Sequence, residues 1–261
     1  IPGLQATNAM GWLTLKSYGG PEYPGSLFYF FENNFGFHFC NIEQYIEINQ
    51  GMGPTFTYLP QQSANETLNK SYFRAIQHIS GLQIPNAIDR MNDGTFSHTV
   101  RELDLISKNH VDLEFNMKEK FHTFTKPGNI FNTSEEFFDN FGNAKDNKGT
   151  FTGVNPYEYL VTKDPTNTET NVENTVGARN AYTNLLNSYK LTIIVHGDSN
   201  LNVGDVVNVM LPETGTAEDR DLSIYSGSWL VQALNHTCDN EKFNTTLSLS
   251  KAGLEFQQTK T

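Results

Sequence analysis

Four groupings of residues in this chain have the chemistry of a functional site. His196-Gly197-Asp198 lies inside LTIIVHGDSNLNVGDVVNVMLPE, residues 191–213, which also carries Gly204-Asp205. A histidine and an aspartate two residues apart supply two parts of a nucleophilic triad, and glycine-rich corners can cradle phosphate with backbone N–H groups. His38-x-Cys40 and His236-x-Cys238 each set an imidazole and a thiol on one face of an extended strand, and four such ligands can hold zinc tetrahedrally. Glu114 and Glu119 are carboxylates of the type that works as an acid–base pair.

Each grouping lacks a mechanical part. A triad needs a nucleophile on a constrained turn, and the chain contains no G-x-S-x-G. A phosphate loop needs Gly-Lys-Ser/Thr between strand and helix. Here no lysine follows the glycine, strand follows strand, and no G-x-G-x-x-G opens a helix. The two His-x-Cys pairs lie at opposite ends of the chain, whereas structural zinc sites use Cys-x2-4-Cys spacing. The glutamates form no pair that spacing alone can assign. The expectation is therefore no catalytic residue, no metal and no cofactor, with Gly197, Asp198, Gly204, Asp205 and Gly227 as structural turns.

The elements that hold these residues point the same way. Thr192, Ile194 and His196 share one face of a strand, and Leu191, Ile193 and Val195 share the other. Gly197 can adopt positive φ and let the chain turn, and Asp198 and Ser199 can hydrogen-bond their own backbone there. Leu201 and Val203 then return to the core, Gly204-Asp205 makes a second tight turn, and residues 206–210 run on as a strand that Pro212 ends. Strands are also expected over 228–234 and 244–249. Ala178, Ala181, Tyr182, Leu185 and Leu186 form one apolar stripe of a helix within 172–189.

Upstream, WLTLKS (12–17) alternates like a strand. SLFYFFENNFGFHF (26–39) predicts a hairpin of Leu27–Phe31 and Phe35–Phe39 about Glu32-Asn33-Asn34. Asn41 caps a short helix, NIEQYIEI, that turns Ile42, Tyr45, Ile46 and Ile48 inward. Residues 49–64 are expected as loop. ANETLNKSYFRAIQHISG (64–81) predicts a helix on Leu68, Tyr72, Ile76 and Ile79, stopped by Gly81. Three alternating strands, TFSHTVRELDLIS, VDLEFNM and KFHTFT, follow between 95 and 125. Residues 126–170 are expected as loop, with short structure near Phe137 and over 157–161.

Composition limits the rest. With 261 residues, 37% hydrophobic and 18% charged, the chain has material for a core. A formal charge of −11 repels phosphate, which disfavours nucleic-acid recognition and a membrane-surface role. No apolar run reaches the roughly 20 residues of a membrane helix, and IPGLQATNAM lacks the features of a signal peptide. The chain starts without Met, so a preceding segment is expected to have been cleaved or left out. Cys40 and Cys238 are expected as reduced thiols. Sequons such as Asn65-Glu-Thr67 are the chance product of many Asn and Thr.

The carboxyl-terminal pattern resembles the end of the baseplate hub proteins of contractile-tailed phages, a superfamily that includes late-control tail proteins and type VI secretion spikes. The residues that carry it are Gly197, Leu201, Val203, Gly204, Asp205, Val207, Ser226, Gly227, Trp229, Val231, His236, Thr246, Leu247 and Leu249. The segment SLFYFFENNFGFHFCNIEQYI is similar to a hub segment in which a strand hairpin leads into a short helix. The resemblance implies a β-rich α+β chain: a tube-type antiparallel β-barrel with flanking helices and an inserted mixed domain. It places the first part of the barrel in 1–50, the insertion in 51–170, a helix and the remaining strands in 171–255 and a tail in 256–261. It implies a structural virion protein rather than an enzyme. Such a protein is a homotrimer that joins the tail tube to the central spike, touches other baseplate proteins, has no membrane anchor and meets DNA only as passing cargo. It is assembled in the host cytoplasm. Two other classes fit the sequence: a tail-associated cell-wall hydrolase, and a carbohydrate-binding β-protein with Tyr157 and Tyr159 stacking on sugars.

Overall fold

The computed structural model describes residue 3 and residues 5–58, 73–86, 97–104, 108–128, 157–162, 172–211, 223–240 and 242–254, in places by backbone alone. In chain order the elements are α1 (Ala6–Lys16), β1 (Phe28–Asn33), β2 (Gly36–Asn41), α2 (Ile42–Asn49), β3 (Thr55–Tyr58), β4 (Ala75–Gln83), β5 (Ser97–Asp104) and β6 (Asn109–Asn116). They continue with α3 (Met117–Lys120), a 3-10 turn (Phe121–Thr123), β7 (Tyr157–Thr162), α4 (Val172–Leu186), β8 (Tyr189–His196), β9 (Val206–Met210), β10 (Gly227–Cys238) and β11 (Phe243–Lys251). They fall into two units: residues 1–44, 85–125 and 132–185 in the first, and 45–84, 126–131 and 186–261 in the second.

The second unit is a closed six-stranded barrel in the order β10-β11-β8-β4-β3-β9. Period-two alternation sends Leu191, Ile193 and Val195 of β8, Val207 and Val209 of β9, Trp229 and Val231 of β10, and Leu247 and Leu249 of β11 into one core with Phe56, Ile76 and Leu201. The wall is not wholly antiparallel as expected: the short β3 lies parallel to both β4 and β9. Lys251 continues the inward series from Leu247 and Leu249 and is fully buried. Its Nζ donates to the Ser226 carbonyl at 2.7 Å and lies 5.6 Å from the centre of the Trp229 ring, so a desolvated charge meets a backbone acceptor and an aromatic face.

The expected boundaries of the insertion do not follow the sheets. β3 and β4 lie within residues 51–170 yet form barrel wall, and the loop expected over 49–64 contains β3. The helix expected over 64–81 is, at 75–81, strand β4; Leu68 and Tyr72 lie outside the described residues. Two bulges, at Ile76/His78 and Ile79/Gly81, explain the misreading. A bulge adds one residue to a period of two, so Ile76 and Ile79 face the same core at a helix-like spacing of three.

In the first unit, β1 and β2 form a two-stranded sheet of their own and not the first part of the barrel. Its hairpin turn lies one to two residues beyond the expected position. Asn41 caps α2 as expected, its Oδ1 accepting from the Glu43 N–H at 2.8 Å. Ile42 and Ile46 are buried and Tyr45 half-buried, but Ile48 is exposed. β5 pairs with β6 and β7, so two of the three alternating segments are strands. KFHTFT instead forms the end of α3 and the 3-10 turn, which buries Phe121 and Phe124, three residues apart. WLTLKS belongs to helix α1 rather than a strand; α1 buries none of its residues, so no apolar stripe marks it in the sequence. All five residues of the stripe expected in α4 are buried. Tyr182 donates to the Thr125 carbonyl, and Arg179 donates to the carbonyls of Leu15, Ser17 and Ser26. Phe137 lies outside the described residues.

Truncation of the buried cation is a direct test of the barrel's packing. Lys251→Ala is expected to lower the unfolding free energy by about 2 kcal/mol or more, because it leaves a cavity and an unmet carbonyl. Lys251→Met, which keeps the stem, is expected to cost less. Urea denaturation at neutral pH ranks the two, and equal losses would mean that the ammonium group rather than the stem carries the effect.

Candidate functional site

Of the residues singled out by sequence, Gly197, Asp198, Leu201, Val203, Gly204 and Asp205 lie in the corners between β8 and β9, whereas Ser226 and Gly227 open β10 at the other end of its ladder with β9. After β8 the chain turns through Asp198, whose Oδ1 accepts from the Asn200 N–H at 3.0 Å while its carbonyl accepts from the Leu201 N–H at 3.3 Å. Its other oxygen, Oδ2, pairs with Arg74 Nη1 at 2.9 Å. The Arg74 guanidinium also lies 5.6 Å from the centre of the Phe56 ring. Leu201 enters the core, and Val203 is half-buried rather than buried.

The second corner runs from Asn202 to Asp205. The Asp205 N–H donates to the Asn202 carbonyl at 3.3 Å, and Asp205 Oδ2 accepts from the Asn202 N–H at 2.8 Å. The corner is then bonded to β10 by a reciprocal pair: the Gly204 N–H donates to the Val231 carbonyl, and the Val231 N–H donates to the Asp205 carbonyl, each at 2.9 Å. Ser226-Gly227-Ser228-Trp229 begins β10. The Ser226 hydroxyl donates to the Leu211 carbonyl at 3.0 Å and accepts from the Leu211 N–H at 2.9 Å, standing in for one rung of the ladder. Gly227 has φ +118, and the buried Trp229 donates Nε1–H to the Tyr225 carbonyl at 3.2 Å.

The two corner glycines are required for different reasons. Gly204 has φ +94, and a Cβ there would stand 2.5 Å from Tyr45 Cε1. Gly197 does not use positive φ, contrary to expectation; a Cβ there would overlap the ring of Phe243, whose carbonyl accepts the Gly197 N–H at 2.8 Å. On β10, His236 Nδ1 lies 2.8 Å from Thr245 Oγ1 and its ring 5.6 Å from that of Phe243. His196 Nδ1 lies 2.9 Å from Gln77 Nε2, and burial lowers its pKa.

A cleft of about 220 Å³ opens at the corners, lined by Asn49, Arg74, Asp198, Asn200 and Asp205 with apolar and backbone atoms between Met52 and Pro54 and at Leu201 and Val206. Among the described residues the lining includes no Ser, Thr, Cys, His or Lys side chain. Its polar groups already serve the turns: Asp198 is shared between Asn200 and Arg74, and Asp205 holds Asn202. Burial raises the Asp205 pKa, helped by the charge of Asp198 and opposed by the Asn202 N–H. Among the described residues no three His, Cys, Asp or Glu side chains come together as a metal site. His38 is bonded to Asn33 Oδ1 on the hairpin, and both cysteines are free thiols, with burial pushing Cys40 up to about 11. The side chains of Glu114, Glu119, Tyr157 and Tyr159 lie outside the described residues.

Sequence reading missed Arg74, Phe243 and Lys251, and placed Tyr45 inward on its helix without its contact to Gly204. Arg74 lay in the segment misread as helix. Lys251 was accessible by extending the alternation of β11 by one step.

No protein-family model matches this chain, and no curated protein matches it significantly. A solved structure titled as the tail protein from Neisseria meningitidis MC58 is similar over 76% of this chain at 12% identity, with a TM-score of 0.35. The match covers 44% of that protein, so this chain spans less than half of its length.

The two glycines are separable by experiment. Gly197→Ala is expected to cost about 1–3 kcal/mol and to recover most of it in a Phe243→Ala background, because the penalty is overlap. Gly204→Ala is expected to cost as much but to recover only in part with Tyr45→Ala, because the backbone conformation persists. Denaturant-melt double-mutant cycles check both. The raised Asp205 pKa means that the folded chain binds this proton more tightly than the unfolded chain. Its favourable contribution is fully present below the unfolded value and is lost as pH rises through the folded one. As pH rises from the ordinary aspartate range through the raised value, Asp205→Asn is expected to lose less stability, or gain more, than the unsubstituted chain, measured by urea unfolding; an identical pH dependence would refute the assignment.

Proposed function

We propose that this chain is a structural component of a phage tail: a baseplate hub protein that connects the tail tube to the central spike through rings of oligomeric β-barrels. The observation that carries the reading is the reciprocal bonding of Gly204-Asp205 with Val231, because it ties together the two halves of the corner pattern inside one closed barrel. Residues that resemble those of hub proteins thus act as joints of a scaffold, and their polar atoms are committed to turns.

The barrel's edges support assembly by strand pairing. β4 bonds to β3 only at Ala75 and Ile76, and β10 bonds to β9 only over Gly227–Leu230. Among the described residues, the outer edges of 77–83 and 232–238 therefore carry no strand partner. Exposed edges of that length are templates for another chain. In this reading the chain is a homotrimer in the virion, without a catalytic centre, cofactor or membrane anchor. Its partners are the tail-tube protein, the spike and other baseplate proteins, and DNA is only passing cargo.

Light scattering or native mass spectrometry of the purified chain is expected to give three times the 29.4 kDa chain mass. A strict monomer at high concentration would sink the trimer. Lysis of bacterial cell wall in a zymogram would replace the scaffold with a hydrolase.

A further inference from the structure

The hairpin β1–β2 has no part in the barrel and presents the most concentrated aromatic surface among the described residues. Register places Phe28, Phe30, Phe37 and Phe39 on one face, where cross-strand stacks join Phe28 to Phe39 at 5.7 Å and Phe30 to Phe37 at 5.8 Å. Phe35 at the turn is 82% exposed, Phe37 71% and Phe39 40%. These three leave about 400 Å² of aromatic surface in water, about half of what one partner contributes to a standard interface. Patches of that size on one face mark an interaction surface, and the stacks hold the rings so that little freedom is lost on docking.

Charge selects the occupant. The chain carries 47 ionised Asp, Glu, Lys and Arg residues and a net charge of −11, so two copies repel over most of their surfaces. Between residues 23 and 42 the only such residue is Glu32. Glu32 lies opposite Phe37 on this face, so a second copy can approach there against one like charge and with a large apolar gain. A basic partner would find more attraction on the acidic surfaces elsewhere.

We propose that the phenylalanine face of β1–β2 is a self-association surface, on which the same face or a neighbouring surface of a second copy of this chain docks. The proposal rests on the self-assembly proposed above and assigns to it a particular surface.

Sedimentation velocity of the unsubstituted chain and of a Phe35→Ser/Phe37→Ser double variant is the test. Both positions are largely exposed, so the variant is expected to keep its circular dichroism and thermal melt while its self-dissociation constant rises at least tenfold. Assembly of the unsubstituted chain with no change in the folded variant would overturn the hairpin surface and leave the oligomer standing. A monomeric unsubstituted chain would overturn both. Should the variant misfold, amide hydrogen exchange on the unsubstituted chain decides. Exchange at residues 28–41 that slows with protein concentration supports the surface, and exchange independent of concentration across an assembling range overturns it. Binding of a monomeric chain to phosphatidylcholine vesicles would assign the face to a lipid surface instead.

Discussion

Two backbone hydrogen bonds between the Gly204-Asp205 corner and Val231 set the architecture of the barrel. A sheet closes only when the strands at its seam find partners for their N–H and C=O groups, and a buried backbone group left unmet is costly. At this seam the ladder between β9 and β10 covers only four residue pairs. The corner extends it at one end, and the Ser226 hydroxyl extends it at the other by bonding both the N–H and the carbonyl of Leu211. Trp229 fills the space behind the seam, and Lys251 meets the Ser226 carbonyl from within the core. Removing any one of these contacts leaves the others to hold a shorter seam.

The same requirement explains why the corner residues read as a site at the level of sequence. His-Gly-Asp and Gly-Asp have the composition of catalytic loops because tight turns and catalytic loops both need glycine and short polar side chains. What separates the two uses is the destination of the polar atoms. Asp198, Asp205 and Ser226 spend theirs on neighbouring backbone and on Arg74. The cleft that Asp198 and Asp205 border is therefore a by-product of the corners' geometry as much as a recess open to a ligand.

The legible parts of the chain were those where one side is buried and the period is unbroken. β8 alternates cleanly, β9 and β11 alternate over 207–210 and 244–249, and α4 buries its stripe, so hydrophobic pattern and structure agree there. Legibility failed where irregular geometry imitates another period. Bulges gave β4 a spacing of three, and the 3-10 turn at Phe121–Thr123 looked like alternation. It also failed where nothing is buried, as in α1. For the site, the glycines were legible as turn residues but their reasons were not. The need for Gly197 comes from Phe243, 46 positions away along the chain, and that of Gly204 in part from Tyr45. Long-range steric demands of this kind leave no local mark on a sequence.

The core of the barrel has one further consequence. Six strands enclose a narrow interior, and here Trp229, Phe56, the inward aliphatic residues and the Lys251 stem fill it, so the barrel has no bore. A conduit in any assembly of these chains must run outside each barrel, along its outer wall. On β8 and β11 that wall presents Thr192, Ile194, Thr246 and Ser248, with the exposed Lys190 in phase with them at the start of β8. The width of a passage between such walls would be fixed by how copies are spaced rather than by the fold of one.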